Sequence, residues 1–214
     1  MYNLNLNKVG QVDNFLRASD TNTQVYNGIE FTTNARLPKG AFFFGGVTIE
    51  RYTAAGSGLV GIAPSTASNL CQVSNPNSRR FCETTPPFRP IFKLSGMYPL
   101  PYGILLAGNY QVRPGPPMSA VYTVNSAIAG VPLNGISTLS VQLIEPNTLI
   151  LPYQNQVDFR ISRKFHGVRA LIDIYNAFNA GTVSQANPTW GTAWLRPQAI
   201  LNGRSLRLGG EWTF

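Results

Sequence analysis

Apolar and polar side chains alternate with a period of two over stretches of about ten residues, each closed by turn-forming chemistry, which predicts β-hairpins. In residues 28–37, Ile29, Phe31, Thr33, Ala35 and Leu37 share one side, and Gly28, Glu30, Thr32, Asn34 and Arg36 the other. Pro38-Lys39-Gly40 predicts a tight turn, because Pro presets φ and Gly supplies φ > 0. Residues 41–52 return with Ala41, Phe43, Gly45, Val47 and Ile49 on one side and Thr48, Glu50 and Tyr52 on the other.

The same rhythm predicts two more hairpins. In residues 91–100, Phe92, Leu94, Gly96, Tyr98 and Leu100 oppose Lys93 and Ser95, and Pro99-Leu100-Pro101-Tyr102-Gly103 turns the chain. Residues 104–113 then set Leu106, Gly108, Tyr110 and Val112 against Asn109, Gln111 and Arg113. In residues 156–165, Val157, Phe159 and Ile161 oppose Asp158, Arg160 and Ser162. His166-Gly167 closes that strand, and 168–175 set Ala170, Ile172 and Ile174 against Arg169 and Asp173. A last strand spans 205–214, and weaker strands are expected near 120–125 and 139–143.

Connections within these hairpins are short, whereas those at 53–90, 114–155 and 177–204 are long and rich in Pro, Gly and Asn. Short turns at one end and long loops at the other are the pattern of outer-membrane barrels, with periplasmic turns and extracellular loops. Strands of about ten residues also match the tilted span across the outer-membrane hydrocarbon. The competing architecture is a soluble β-sandwich, which alternates too. Sandwich strands are shorter, however, and their solvent faces carry more charge than these do. The expected fold is therefore all-β: a partial antiparallel transmembrane β-barrel of roughly 7–10 strands.

Composition sharpens this. Of 214 residues only 12% are charged while 43% are hydrophobic, so polarity comes from uncharged side chains. Twelve Phe, nine Tyr and three Trp argue against disorder, and 20 Gly with 16 Pro argue against a helical enzyme. No apolar run is long enough for a transmembrane helix, and the start, Met1-Tyr2-Asn3-Leu4, lacks the pattern of a signal peptide. One His and two Cys leave little scope for a metal site. No phosphate loop, nucleophile elbow or carboxylate pair stands out, so neither an enzyme nor a cofactor is expected. The net charge of +8 is dispersed along strands and loops, which gives little support to nucleic-acid binding.

The chain closes on Arg207-Leu208-Gly209-Gly210-Glu211-Trp212-Thr213-Phe214. With Arg207, Gly209, Trp212 and Phe214 at its polar, glycine and aromatic positions, this ending resembles the signal read by the outer-membrane barrel-assembly machinery; an ordinary amphipathic strand is the alternative. Leu206, Leu208, Gly210, Trp212 and Phe214 share the lipid side, putting both aromatics in an interfacial girdle.

Further stretches carry a family resemblance. They are Tyr26-Asn27-Gly28-Ile29-Glu30-Phe31, Asn34-Ala35-Arg36-Leu37-Pro38-Lys39-Gly40, Gly45-Gly46-Val47 and Tyr98-Pro99-Leu100-Pro101. Asp173-Ile174-Tyr175-Asn176-Ala177-Phe178-Asn179, Trp194-Leu195-Arg196-Pro197 and Gly203-Arg204 complete the set. Together with the terminal motif they resemble TonB-dependent outer-membrane receptors, in particular those with an N-terminal carboxypeptidase-regulatory-like domain. The resemblance implies a 22-stranded barrel around a plug domain, pulled by the TonB energy-coupling complex to admit a scarce, bulky nutrient. Plug, coupling box and export signal have no counterpart in these residues, which the resemblance places, from 1 to 214, in the C-terminal barrel portion of a larger receptor.

Candidate site residues follow. Glu30, Arg36, Glu50, Lys93, Asp158, Arg160 and Asp173 are expected to face the lumen, pairing across strands or meeting the plug. Cys71 and Cys82 would form a disulfide in an oxidising compartment, worth roughly 2–3 kcal/mol for so short a loop; two free thiols are the cytosolic alternative. Arg79 and Arg80, with Arg89 just beyond, are either solvated or contact lipopolysaccharide phosphates or an anionic ligand. Trp190 and Trp194 suit a membrane anchor or a sugar platform, and His166 is read as a turn residue. The expected location is the outer membrane of a Gram-negative cell. Two alternatives stay open: a small complete eight-stranded barrel acting as adhesin or structural protein, and a soluble carbohydrate-binding sandwich.

Overall fold

The computed structural model describes residues 3–11, 23–55, 81 and 83–212. In chain order its strands begin with β1 (Thr23–Arg36), β2 (Phe42–Ala55), β3 (Glu83–Thr84), β4 (Arg89–Leu100) and β5 (Ile104–Arg113). Next come β6 (Pro117–Met118), β7 (Val121–Asn125), a single helical turn α1 (Ser126–Ala129), β8 (Thr138–Gln142) and β9 (Leu149–Ile150). The last five are β10 (Gln154–Phe165), β11 (Val168–Tyr175), β12 (Val183–Ala186), β13 (Pro197–Ile200) and β14 (Ser205–Trp212). All seven strands expected from the alternation are present, and the weaker pair appears as the β7–β8 ladder.

The long strands form one antiparallel meander in the order β1-β2-β4-β5-β10-β11-β14, with β3 paired to β2. The path is open among the described residues, with β1 and β14 as its two edges. No described helix is long and apolar enough to cross a membrane, which says nothing about strands.

Two of the hairpins close with the same four residues, Leu-Pro-x-Gly. In Leu37–Gly40 and Leu100–Gly103 the third position is left-handed, with φ 65° at Lys39 and 64° at Tyr102, and the glycine follows at 79° and 73°. The proline sets the entry, but two residues rather than one carry the positive φ. His166 (φ 39°) and Gly167 (φ 89°) make the two-residue turn between β10 and β11. These three turns lie at one end of the meander, and the three long connections lie at the other.

The described parts of those long connections are folded, although their sequence shows little alternation. β6 pairs with β9, β7 with β8 and β12 with β13. The amide of Val121 donates to the Pro188 carbonyl and that of Trp190 to the Val121 carbonyl, both at 2.8 Å, so two connections join. The indole of Trp194 donates to the Ser119 carbonyl at 3.0 Å and its ring lies 4.7 Å from that of Trp190. Met118, Ala120, Val124, Leu139 and Ala186 are buried here. In the long strands, Val157 is the one described apolar side chain that is buried. The core therefore sits in the loop cap and not against the sheet.

Within the sheet, β2 is pinched at Gly45-Gly46. A Cβ at Gly45 would collide with the Lys93 carbonyl of β4, and one at Gly46 with the Phe31 carbonyl of β1. Glycine is thus required there for the close approach of three backbones. At Gly210 on β14, by contrast, a Cβ would meet nothing within 4 Å. Gly46→Val should therefore cost about 3 kcal/mol or more, and Gly210→Val less than about 0.5 kcal/mol. Urea unfolding of the refolded chain in detergent, followed by far-ultraviolet circular dichroism, measures both.

Candidate functional site

The register assigns every long-strand side chain to one of two unlike faces. On the first, one row crosses all seven strands: Arg36, Phe42, Met97, Ala107, Arg160, Asp173 and Arg207. A second row runs Asn34, Phe44, Ser95, Asn109 and Asp158, and a third Thr32, Gly46, Lys93, Gln111 and Gln156. Glu30 and Glu50 continue the same face toward the long connections. The seven charged residues singled out from the sequence thus share one side of the sheet. Over β1, β2, β4 and β5 this side forms an open hollow of about 810 Å³, whose lining includes Glu30, Glu50, Lys93, Asn109 and Gln111.

Hydrogen bonds lace this face between adjacent strands. Tyr26 lies across Gly28 and donates to Glu50 at 2.8 Å. The Ser95 hydroxyl donates to Asn109 at 2.8 Å, the Gln111 amide to Gln156 at 3.3 Å, and Arg113 Nε to Gln154 at 2.9 Å. Asp173 is 3% exposed and accepts a two-pronged bond from Arg160, at 2.6 Å from Nε and 3.1 Å from Nη2. Arg207 closes on its other oxygen at 3.5 Å from the neighbouring strand. A buried carboxylate between two arginines has its charge compensated on both sides, and the planar guanidinium of Arg160 fits it as a fork. Arg169 and Glu211 form a further pair at 2.9 Å, both half exposed.

The second face is apolar throughout its middle. Its rows include Phe31, Val47, Phe92 and Val112, then Leu94, Tyr110 and Val157, then Phe43, Phe159, Ile174 and Leu206, and finally Tyr98, Leu106, Ile161, Ile172 and Leu208. Phe159 leans over Gly108, so an aromatic covers the backbone that the glycine bares. Exposure rises from about 40% at Phe159, Ile161 and Ile172 to 66% at Phe31 and 78% at Leu208 on the two edges.

At the end of β11, Asn176 builds a corner. It is 3% exposed, has φ 49°, and its side chain donates to the carbonyls of Ala180 (3.0 Å) and Asn202 (2.7 Å). It also accepts from the Ala180 amide at 2.9 Å, while its own amide donates to Asp158 at 2.8 Å. Asn179, at φ 53°, accepts from the Arg204 amide at 2.9 Å. The Tyr-Asn-Ala-Phe-Asn run thus has a local cause: short amides tolerate the left-handed backbone and satisfy the corner's polar groups.

Other candidates fall as follows. Arg207 and Gly209 lie on the polar face and Trp212, 75% exposed, on the apolar one. Arg89 donates to the Gly115 carbonyl at 3.4 Å. Phe214, Cys71, Cys82, Arg79 and Arg80 lie outside the described residues. Trp194, read as an anchor or sugar platform, instead joins two long connections through its indole. Sequence reasoning missed Asn176 as a structural centre, though its place beside a second Asn after a strand was the available signal. No group of three potential metal ligands occurs among the described residues.

Asn176→Ala should cost about 3 kcal/mol, from three lost side-chain bonds and a left-handed alanine, read from the urea midpoint. Asp173→Asn should destabilise more than Glu211→Gln, because Asp173 is buried between two cations and Glu211 is exposed. Compared with family models, curated proteins and solved structures, the chain matches none.

Proposed function

We propose that this chain is part of the wall of an outer-membrane β-barrel: the C-terminal barrel portion of a receptor of the TonB-dependent type, taking up a bulky nutrient. It would do no catalysis of its own. The observation that carries this reading is the burial pattern. Most of the apolar face of a long, regular sheet is left uncovered by the described residues, Val157 alone of its apolar side chains being buried, in a hollow that Phe178 also lines, while the small apolar core gathers in the loop cap. A water-soluble sandwich needs a second sheet on that face.

The dimensions fit as well. On β5 the outward run from Ile104 to Val112 is about 27 Å long at roughly 3.4 Å per residue. A tilt near 40° reduces this to about 21 Å, close to the ~25 Å apolar band of such barrels. Only two charged residues stand on the apolar face of the seven strands, Arg51 and Arg163, at opposite ends. Each guanidinium lies over a ring, Phe88 at 4.4 Å and Phe165 at 4.5 Å. Cations that mark the two limits of an apolar band suit side chains reaching for the headgroups.

The small eight-stranded barrel is the second reading. In barrels of that size the interior is just filled by side chains. Here the side-chain bonds among the described residues on the polar face of the long strands run between adjacent strands or within one strand, and none crosses the lumen, which favours a wider one. Seven strands also leave β1 and β14 running in the same direction, so antiparallel closure takes an odd number of further strands. In the proposed receptor the polar face would meet the plug, the apolar face lipid and lipopolysaccharide, and β14 the assembly machinery. The TonB complex would act on the plug.

Spin labels placed singly at 159–161 and 163–165 of the chain refolded into phosphatidylcholine vesicles test the reading. Odd positions should be accessible to oxygen and shielded from a water-soluble nickel chelate, with even positions showing the reverse. Odd positions shielded from both reagents would mean a protein interior and defeat the proposal.

A further inference from the structure

We infer that the apolar face carries a binding notch for one anionic phospholipid at the short-turn end, between Arg163 and Trp212; this rests on the membrane reading above. The notch is built by register. Arg163 on β10 is paired with Ala170 on β11, and Ala170 with Gly210 on β14. Beside the arginine, then, the sheet presents a methyl group and a bare backbone, with nothing within 4 Å of where a Cβ on Gly210 would stand. The next row outward is Phe165, Val168 and Trp212, and the next row inward is Ile161, Ile172 and Leu208. Two strand spacings separate Arg163 from Gly210, about 10 Å, which is wide enough for an acyl chain to lie over the small residues. The inward row offers it an apolar track.

Charge selects the headgroup. Arg163 stands with one face of its guanidinium over Phe165, and no described carboxylate is within ion-pair reach of it. No outward position of the seven long strands carries Asp or Glu. Between the Asp173 row and the short turns, the polar face of β10, β11 and β14 carries Lys164 and Arg169 against one described carboxylate, Glu211, which already pairs with Arg169, so this end of the sheet offers Arg163 no counter-charge. A phosphate diester at this rim accepts the guanidinium fork while its chains follow the apolar track. In outer-membrane barrels the short turns face the periplasm, so the occupant is a glycerophospholipid of that leaflet.

The test uses the full chain refolded in dioleoylphosphatidylcholine vesicles, probed with phosphatidylglycerol or phosphatidylcholine spin-labelled near the chain terminus. Electron paramagnetic resonance reads the motionally restricted fraction of each. The native chain should hold phosphatidylglycerol with a roughly fivefold preference, the value of one cation beside an anionic headgroup. Arg163→Gln should remove the preference by removing the charge, and Gly210→Leu should remove it by filling the notch with the charge intact. Equal restriction of both lipids by the native chain overturns this inference and leaves the membrane reading standing. A preference kept in both variants also overturns it, and no restricted component for either lipid overturns both readings.

Discussion

Backbone pairing between neighbouring strands decides the face on which every side chain of the sheet lies, because the pleat alternates with a period of two. The register of β10 against β5 and β11 shows what is at stake. A slip by one residue would bring Ile161 to the polar side in place of Arg160 and strip Asp173 of its fork. It would also set Asp158 and Arg160 on the apolar side. The cross-strand pairs and the separation of faces therefore hold the same register. The edges are where this constraint is unmet: among the described residues β1 and β14 each offer one row of backbone groups without a strand neighbour, and Ile29, Phe31, Leu206 and Leu208 on them are more exposed than the large apolar side chains of the inner strands.

Apolar burial is divided in an unusual way. The loop cap closes over Ala120, Leu139 and their neighbours as a small water-soluble domain does, with strand ladders and an indole hydrogen bond around them. The sheet keeps Phe, Leu, Ile and Tyr side chains on a face that the described residues leave mostly uncovered. Each such side chain gains about 1.5–3 kcal/mol on full removal from water, so a surrounding of hydrocarbon would stabilise the sheet as an interior stabilises a globular fold. On the other face, stability comes from polar pairs whose geometry is set by the strands.

Asparagine does at the corner after β11 what glycine does at the pinch in β2. Gly45 and Gly46 permit three backbones to approach, and Asn176 permits a left-handed turn while satisfying three polar groups of the adjoining segments. They stand in the short runs Gly45-Gly46-Val47 and Tyr175-Asn176-Ala177-Phe178-Asn179. Each has a local physical reason to be what it is. Gly210, which has no such contact, is instead free to shape a surface.

The seven long strands, their faces and the short turns were all legible in the amino-acid order, because period-two alternation and turn chemistry are local properties. So was the gathering of Glu30, Lys93, Arg160 and Asp173 on one side, since strand parity follows once each strand is placed. What parity could not say is which strand lies beside which: that Asp173 lies between Arg160 and Arg207 depends on pairings across 13 residues in one direction and on a strand beyond a long connection in the other. The folded loop cap was hidden for the same reason. Its contacts, such as Trp194 to Ser119 across 75 residues, join segments with no periodic signal of their own. Local alternation determined the strands; only the assembled backbone decided which polar groups meet, where the small core forms, and which apolar surface the described residues leave exposed.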